Sequence, residues 1–282
     1  MSPPSNAYLS EENLRHAETF FPLHALVCDK CKLVQLEQFQ APNEIFSDYA
    51  YFSSYSQSWL QHAKEYAESM TSRLSLSGKK QVVEIASNDG YLLQYFHQKG
   101  ISVLGIEPAE NVAEVAISKG INTLVSFFGV ETAEKLVAAG TKADLLLGNN
   151  VLAHVPDIND FVKGMAVLLA EDGTLTMEFP HLLQLIRFNQ FDTIYHEHFS
   201  YLSLHTVKEI FSSHGLTIFD IDEIPTHGGS LRIYAQHNNP RHFFFVAHTG
   251  GGGGVESIPP SVDTLRGFFA YTFSIVFILP IS

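Results

Sequence analysis

Four consecutive polar residues, Tyr195, His196, Glu197 and His198, lie between apolar neighbours in the last third of the chain. An imidazole titrates near neutral pH, so a histidine here is suited to take a proton from a substrate. Histidine and carboxylate side chains are also ligands of iron and zinc, and a purely structural polar cluster is a further interpretation. If the segment is a strand, Tyr195 and Glu197 face one side and the two histidines face the other.

A second polar set follows the apolar segment Gln81–Ile85, which is typical of a buried strand. The loop that begins at Ala86 leads into a helix, and ligands bind at such strand ends in open α/β sheets. The loop contains one glycine, whereas a dinucleotide-binding loop has the pattern GxGxxG. Its carboxylates would repel a pyrophosphate but can hold an ammonium group, which favours S-adenosylmethionine (SAM) over NAD. The cofactor residues predicted here are Glu84, Ser87, Asn88, Asp89 and Gly90.

The next two predicted strands also end at candidate cofactor residues. Glu107, followed by Pro108, ends the second strand, where a carboxylate can accept hydrogen bonds from both hydroxyls of a ribose. Phe127 and Phe128 follow the third strand and are predicted to flank an adenine; a role in the apolar core is the alternative.

Two further segments carry candidate substrate residues. Asn149 and Asn150 follow the fourth strand, where they either contact cofactor and substrate or close a turn. His227 precedes two glycines and the last predicted strand. The glycines allow a ligand to approach the backbone closely, but a tight turn explains them equally well.

Alternating strands and helices must position these residues, and the alternation predicts a parallel sheet covered on both faces. A helix over 59–76 leads into this part of the chain, and a late antiparallel pair completes the sheet. The predicted strands are Gln81–Ile85, Ser102–Ile106, Asn122–Ser126, Ala143–Leu147, Gly173–Phe179, Leu216–Ile221 and Ser230–Ala235. The predicted helices between them are Tyr91–Lys99, Ala109–Ser118, Ala133–Ala139, Asp157–Leu169 and Leu204–His214.

Composition narrows the function classes. The formal net charge of −13 and the lack of basic runs argue against binding of nucleic acid. The chain has two cysteines, Cys28 and Cys31, whose CxxC spacing suits one half of a metal site. No signal-peptide pattern is visible at the N-terminus, so we expect a cytoplasmic protein.

The chain is predicted to have four parts. Residues 1–57 form a small irregular module, 58–180 the cofactor-binding Rossmann-like domain with its leading helix, and 181–240 the catalytic region that completes the sheet. Residues 241–282 form an atypical tail with five consecutive glycines and an apolar run, which is too short to span a membrane.

Several motifs in order resemble one family, the SAM-dependent C-methyltransferases that act on nucleotide-linked 4-keto-deoxysugars. The resemblance covers about residues 4–239. It rests on PLHALVCDKCKLVQL, YAYFSSYS, VVEIASNDGYLL, GIEPAENVA, GNNVLAHVPDINDFV, IYHEHFSYLSL and HGGSLRIYA. It implies a class I SAM-methyltransferase fold, SAM as cofactor and a nucleotide sugar as substrate. The family's N-terminal zinc module has two CxxC pairs, of which this sequence has one, and its C-terminal domain has no counterpart after 240.

The resemblance also implies a mechanism in which a base removes the proton beside the ketone, and the resulting enolate attacks the methyl group of SAM. His198, oriented by Glu197, is the expected base. Tyr195 and His154 are expected to stabilise the enolate oxygen, with Tyr49 as a further phenol in the cleft.

The base and oxyanion roles of Tyr195 and His198 can be exchanged. The resemblance places Asn150, His196 and His227 at the sugar and Asn149 at the cofactor. Two other functions stay open: an O- or N-methyltransferase acting on a small molecule, and a truncated relative that binds SAM without turnover.

Overall fold

The computed structural model of the chain describes residues 1–5, 9–46 and 51–238. Tyr49 and the predicted tail 241–282 lie outside these residues. The strands are β1 (Ala25–Val27), β2 (Val34–Leu36), β3 (Gln81–Ile85), β4 (Ser102–Glu107), β5 (Thr123–Val125), β6 (Ala143–Asn149), β7 (Leu169–Pro180), β8 (Ser200–Tyr201), β9 (Leu216–Ile224) and β10 (Ser230–His237). The α-helices are α1 (Pro42–Phe46), α2 (Gln57–Arg73), α3 (Leu93–His97), α4 (Glu110–Ser118), α5 (Val130–Ala138), α6 (Ile158–Leu168), α7 (Leu182–Arg187) and α8 (Leu204–Ser213). Single turns of 3₁₀ helix lie at Asn13–Arg15, Ser53–Tyr55, Leu152–His154, Phe191–Thr193 and Thr226–Gly228.

The large sheet has seven strands in the order β5-β4-β3-β6-β7-β10-β9. The first five are parallel, and β10 runs antiparallel to both β7 and β9. Apolar residues are buried in one cluster that includes α5, α6 and α8 and in another that includes α2 and α3. Helices therefore cover both faces, and the predicted class I SAM-methyltransferase fold is confirmed.

Local signals explain where the helices begin. Ser56 caps α2, because its hydroxyl accepts a hydrogen bond from Trp59 N, and Asp157 caps α6 in the same way through Asp160 N. The buried face of α2 is the predicted one, with Ala63, Tyr66, Ala67 and Met70.

Several predicted bounds were wrong by a few residues. Helix α2 ends at Arg73 instead of 76, and Ser75 just beyond it has a positive φ of 49°. Strand β7 begins at Leu169, directly after α6, and not at Gly173. The antiparallel strands β9 and β10 extend three and two residues beyond their predicted ends, because they pair with each other to His237.

A second sheet joins the N-terminal region to the segment that follows the histidine cluster. It has the order β1-β2-β8 and is antiparallel, with Val34 opposite Tyr201 and Gln35 opposite Ser200. The predicted irregular N-terminal module thus contains two strands, and Leu33 enters the main core. In the parts of the chain described, no helix has the length and apolar character that crossing a membrane requires.

We expect Gly90→Ala to lower the free energy of unfolding by more than Gly100→Ala. Both glycines have a positive φ, 75° and 71°, where an alanine costs roughly 1–2 kcal/mol. At position 90 the added Cβ would also lie 3.0 Å from Ile121 Cγ1, whereas at position 100 no described atom lies within 4 Å. Urea denaturation measures both losses, and equal losses would contradict this prediction.

Candidate active site

The loop after β3 has left-handed backbone at alternate residues. Ala86, Asn88 and Gly90 have φ values of 55°, 48° and 75°. The amides of Ala86 and Ser87 donate to the Ile106 carbonyl at 2.8 and 3.3 Å, which holds the loop against the end of β4. The structure thereby brings this loop beside Glu107, as the sequence predicts.

Glu107 lies at the end of β4 and is almost fully buried. Its two oxygens accept hydrogen bonds from Asn88 N and Ala109 N, both at 2.9 Å. Burial raises the pKa of this carboxyl, and the two amide hydrogen bonds partly offset the rise. Pro108, which lies between Glu107 and Ala109 in the chain, is half-buried.

Buried acceptor atoms without hydrogen-bond partners gather around the same loop. Among the described residues, both oxygens of Glu84, the Ser87 hydroxyl and Asp89 Oδ1 make no hydrogen bond. Burial raises the pKa of Glu84 well above its usual range. The other oxygen of Asp89 accepts an ion-paired hydrogen bond from Lys119 Nζ at 3.1 Å. Buried polar atoms of native proteins usually have partners, so this set fits a ligand that donates hydrogen bonds.

The two phenylalanines after β5 have different surroundings. Phe128 packs edge-on against Phe161, with ring centroids 5.3 Å apart, and lies against the main core. Phe127 is exposed. The core alternative therefore applies to Phe128, and Phe127 alone stays a candidate for contact with an adenine.

The paired asparagines after β6 face different neighbours. Asn149 is buried, and its Nδ2 lies 3.4 Å from the Tyr91 hydroxyl. Asn150 has a positive φ of 54°, and its Nδ2 lies 3.4 Å from Nδ1 of His227. The Trp59 ring contacts the His227 ring edge-on at 5.2 Å. Asn150 and His227, which are distant in sequence, thus form a pair in the structure.

The Tyr195–His198 segment is a turn, closed by a hydrogen bond from His198 N to the Tyr195 carbonyl at 3.0 Å. The segment is therefore not a strand, and the alternation of faces that a strand would give does not apply. The turn brings Tyr195 and His198 together, with ring centroids 4.1 Å apart and the Tyr195 hydroxyl 2.8 Å from His198 Nε2. His198 Nδ1 lies 2.8 Å from the Thr193 carbonyl. Because a carbonyl only accepts, Nδ1 carries the proton, and Nε2 accepts from the tyrosine.

His154 joins this pair from the turn after β6, its ring centroid 4.7 Å from that of His198. Its Nδ1 donates to the Glu197 carbonyl at 2.8 Å, so its Nε2 is an acceptor in the neutral ring. Burial lowers the pKa of His154 to about 4. Burial, with the positive charge of a protonated His154, lowers the pKa of His198 to about 3. Both imidazoles are therefore neutral at physiological pH.

Two predicted roles near this cluster were wrong. Glu197 does not orient His198: its side chain accepts a hydrogen bond from the Ser5 hydroxyl at 2.8 Å, and the Thr193 carbonyl holds the His198 ring. His196 points away from the other histidines, towards the N-terminal segment. It lies edge-on to Phe21 and Phe39, and its Nε2 is 3.2 Å from the Ser2 carbonyl. A turn aims successive side chains in different directions, which sequence spacing does not reveal.

A buried charged group at the end of β7 was not predicted from the sequence. Glu178, at the end of β7, is fully buried and accepts hydrogen bonds from Arg232, His62 and Thr226 at 2.6, 2.8 and 3.0 Å. Glu178 and Arg232 alternate with apolar residues in their strands, and that alternation was the available signal. Thr193 was also missed, because it acts through its backbone carbonyl.

The cysteine pair forms a tight turn after β1. Cys28 N donates to the Leu33 carbonyl, and Lys32 N donates to the Cys28 carbonyl, each at 2.9 Å. Hydrogen bonds from the backbone of Cys31 and Lys30 lower the pKa of the Cys28 thiol. A structural zinc site takes four ligands, and the described residues contain no group of three or more His, Cys, Asp or Glu side chains that could hold a metal. Within residues 1–5, 9–46 and 51–238, the cysteine pair therefore has no further ligands that complete a zinc site, and the side chains around His198 form no such group.

Two family models match the chain. A "Methyltransferase domain" matches residues 59–221, which is more than half of the chain. A "Putative zinc binding domain" matches residues 1–46 and contains the cysteine pair.

Curated relatives and solved structures agree with the first model. The C-methyltransferase NovU of Streptomyces niveus is 38% identical over 234 residues, which are 83% of this chain and 56% of the relative. A ubiquinone biosynthesis O-methyltransferase of Bartonella tribocorum is 30% identical over 95 residues, 33% of this chain and 38% of the relative. This chain thus spans about half the length of NovU.

Two solved structures share the fold. The PH0226 protein of Pyrococcus horikoshii has a TM-score of 0.55 at 14% identity, over 71% of this chain and 99% of that one. The magnesium protoporphyrin IX methyltransferase of Synechocystis with bound SAH has a TM-score of 0.50 at 18% identity, over 62% and 82% of the two chains. At such identities the likeness is one of fold.

We expect acid to destabilise the protein partly through His154 and His198. Their pKa values in the folded state lie below that of an unfolded histidine, so the unfolded chain binds more protons as the pH falls. This contribution to stability is complete above about pH 6.5 and is lost towards about pH 3–4. His154→Gln should therefore lose less stability than wild type between about pH 7 and pH 5 in urea denaturation.

The matched control is His97→Gln, which removes an exposed imidazole. His97→Gln should lose as much stability as wild type does between about pH 7 and pH 5. An H154Q variant with the same pH dependence as wild type would contradict the assignment.

Proposed function

This chain belongs to the SAM-dependent methyltransferase family, and on that premise we propose that it methylates a carbon atom of a nucleotide-linked 4-keto-deoxysugar. The observation that carries this proposal is the Tyr195–His198 pair with His154 beside it. Removing a proton from carbon requires a positioned base, whereas an oxygen or nitrogen acceptor already has a lone pair. The matched C-methyltransferase supports carbon as the acceptor. The assignment of a nucleotide-linked sugar as the substrate rests on the ordered motifs of the sequence.

The residues around the β3 loop fit SAM. SAM supplies an electrophilic methyl group when bound. Its ammonium and ribose hydroxyls are donors, and the loop offers unpaired buried acceptors on Glu84, Ser87 and Asp89. Glu107 keeps acceptor capacity beyond its two amide bonds, since an ionised carboxylate has about four lone-pair sites. In this proposal Glu107 holds the ribose and Asn149 contacts the cofactor from β6.

In the Tyr195–His198 pair, which is the proposed base, His198 is the final proton acceptor. Its Nδ1 is held by the Thr193 carbonyl, so only Nε2 can take up a proton. Either Nε2 takes the substrate proton directly, or Tyr195 passes its hydroxyl proton to Nε2 as its oxygen takes the one from carbon. In both cases the C–H electrons become those of the enolate, and the enolate carbon then forms the new bond to the methyl group.

The enolate oxygen needs a hydrogen-bond donor in a cleft that holds little water. Tyr195 has a hydroxyl that can donate once His198 is protonated. Neutral His154 cannot take the donor role predicted for it, because its Nδ1–H is used by the Glu197 carbonyl. We therefore propose His154 as a second proton acceptor. Burial disfavours its charged form, so His154 is neutral before the reaction.

Glu107→Gln tests the cofactor site. We expect isothermal titration calorimetry to show SAM binding to wild type and affinity about 10-fold weaker in the variant, since a charged acceptor of two hydroxyls is lost. Glu110→Gln is the matched control, because Glu110 is exposed three residues further along. A wild-type protein that does not bind SAM would refute the cofactor assignment.

His198→Ala tests the base. With SAM absent, wild type should exchange the C3 proton of a dTDP-4-keto-6-deoxysugar with deuterated water, and H198A should slow the exchange at least about 100-fold. Tyr195→Phe separates the two routes: exchange persists if His198 acts directly and stops if Tyr195 relays the proton. His97→Ala is the control and should exchange like wild type.

The product identifies the acceptor. Mass spectrometry of reactions with SAM and a panel of such sugars should show addition of one methyl group, and fragmentation should place it on carbon. Methyl on oxygen, or exchange that survives in H198A, would contradict the mechanism.

A further inference from the structure

Glu178 contacts both sides of the pair formed by Asn150 and His227. Its backbone carbonyl accepts a hydrogen bond from Asn150 N at 2.7 Å. Its Oε1 accepts one at 3.0 Å from the hydroxyl of Thr226, the residue before His227. One residue at the end of β7 therefore anchors the two turns that bring Asn150 and His227 together.

Both members of the pair have a backbone that needs outside support. Asn150 and His227 have φ values of 54° and 51°, in the left-handed region that residues with a side chain rarely adopt. Such conformations persist when surrounding contacts determine them, and they are frequent at ligand sites. The contacts from Glu178 reach both turns.

Arg232 and His62 hold the Glu178 side chain in place. Arg232 lies directly opposite Glu178 in the antiparallel β7–β10 pair and donates to its Oε2 at 2.6 Å. His62, from α2, lies 2.8 Å from the same oxygen and stacks on Trp59, whose ring also contacts His227. Burial alone would raise the pKa of Glu178, but His62 and Arg232 lower it overall, so the carboxylate stays ionised.

The pair offers a hydrogen-bonding edge to a ligand. Asn150 Oδ1 is buried and makes no hydrogen bond with any described residue. An acceptor of this kind suits a donor on the ligand, such as a sugar hydroxyl. The pair also lies near enough to the base cluster for a charge on His227 to lower the pKa of His198.

We propose that Glu178, with Thr226 and Arg232, positions the Asn150–His227 pair to hold a hydroxyl group of the sugar. This inference rests on the proposed function, because it takes the sugar as the ligand of the pair. Glu178 is a positioning residue, since it acts through Asn150 and Thr226 and is itself shielded from the cleft.

Substitutions at Thr226 test the proposal with little change in volume. Thr226→Val removes the hydroxyl that reaches Glu178, and Thr226→Ser keeps it. We expect T226V to raise KM for the sugar about 10-fold, as for loss of a hydrogen bond to a charged group, and T226S to lie within about 2-fold of wild type. KM for SAM should not change in either variant.

The matched control is Thr71→Val in α2, which also loses a hydroxyl hydrogen bond, to the Ala67 carbonyl at 2.6 Å. It should leave KM for both substrates unchanged. A T226V variant that behaves like T71V, or that raises KM for SAM as much as KM for the sugar, would overturn the positioning role.

A second measurement needs no turnover. The imidazole C–H resonances of His227, assigned by their loss in His227→Gln, should shift in T226V and keep their wild-type positions in T226S and T71V. Unchanged resonances in T226V would overturn the proposal. If wild type methylates no sugar, the proposed function fails, while these spectra still show whether Thr226 and Glu178 fix the pair.

Discussion

The buried ion pair between Glu178 and Arg232 constrains the end of the large sheet where the candidate site lies. The two residues are directly opposite each other in the β7–β10 pair, and Asn149 is opposite Glu178 on the other side, in β6. A shift in register would leave a charge buried without its partner, at a cost of about 3–5 kcal/mol. The pairing of β7 with β10 is therefore fixed at the strand ends beside the candidate site. This register also determines the positions of Asn150 and Thr226, since both donate hydrogen bonds to Glu178.

Two kinds of polar surroundings meet at this edge. Around the β3 loop, buried acceptor atoms of Glu84, Ser87 and Asp89 have no hydrogen-bond partner among the described residues. Around His198, the Thr193 carbonyl and the Tyr195 hydroxyl bond to the two ring nitrogens, and burial keeps the imidazole uncharged. A cationic cofactor suits the acceptors of the β3 loop, and removal of a proton from a substrate requires the unprotonated imidazole of His198. The proposed carbon methylation thus fits the distribution of charge as well as the arrangement of side chains.

The N-terminal region packs against the Tyr195–His198 turn and the strand that follows it. Strand β2 pairs with β8, which begins two residues after His198. Ser2 and Ser5 contact the side chains of His196 and Glu197. These contacts give the two middle residues of the turn a structural role, while the outer two, Tyr195 and His198, face each other. The family model described as a "Putative zinc binding domain" matches this region, where the described residues contain two cysteines but no group of three or more candidate metal ligands.

The sequence by itself determined the fold class, the order of strands and helices, and the ends at which ligands bind, because hydrophobic periodicity and caps are local signals. It also indicated that the loop after β3 carries several acceptor side chains and that Tyr195 and His198 belong to one cluster. Only the tertiary structure decided that His196 and Glu197 turn away from the cleft, because side-chain direction in a turn depends on its hydrogen bonds. The proton on Nδ1 of His198 and the contacts of Glu178 were decided there too. Both depend on partners far away in the chain or on backbone carbonyls, which leave no pattern in the sequence.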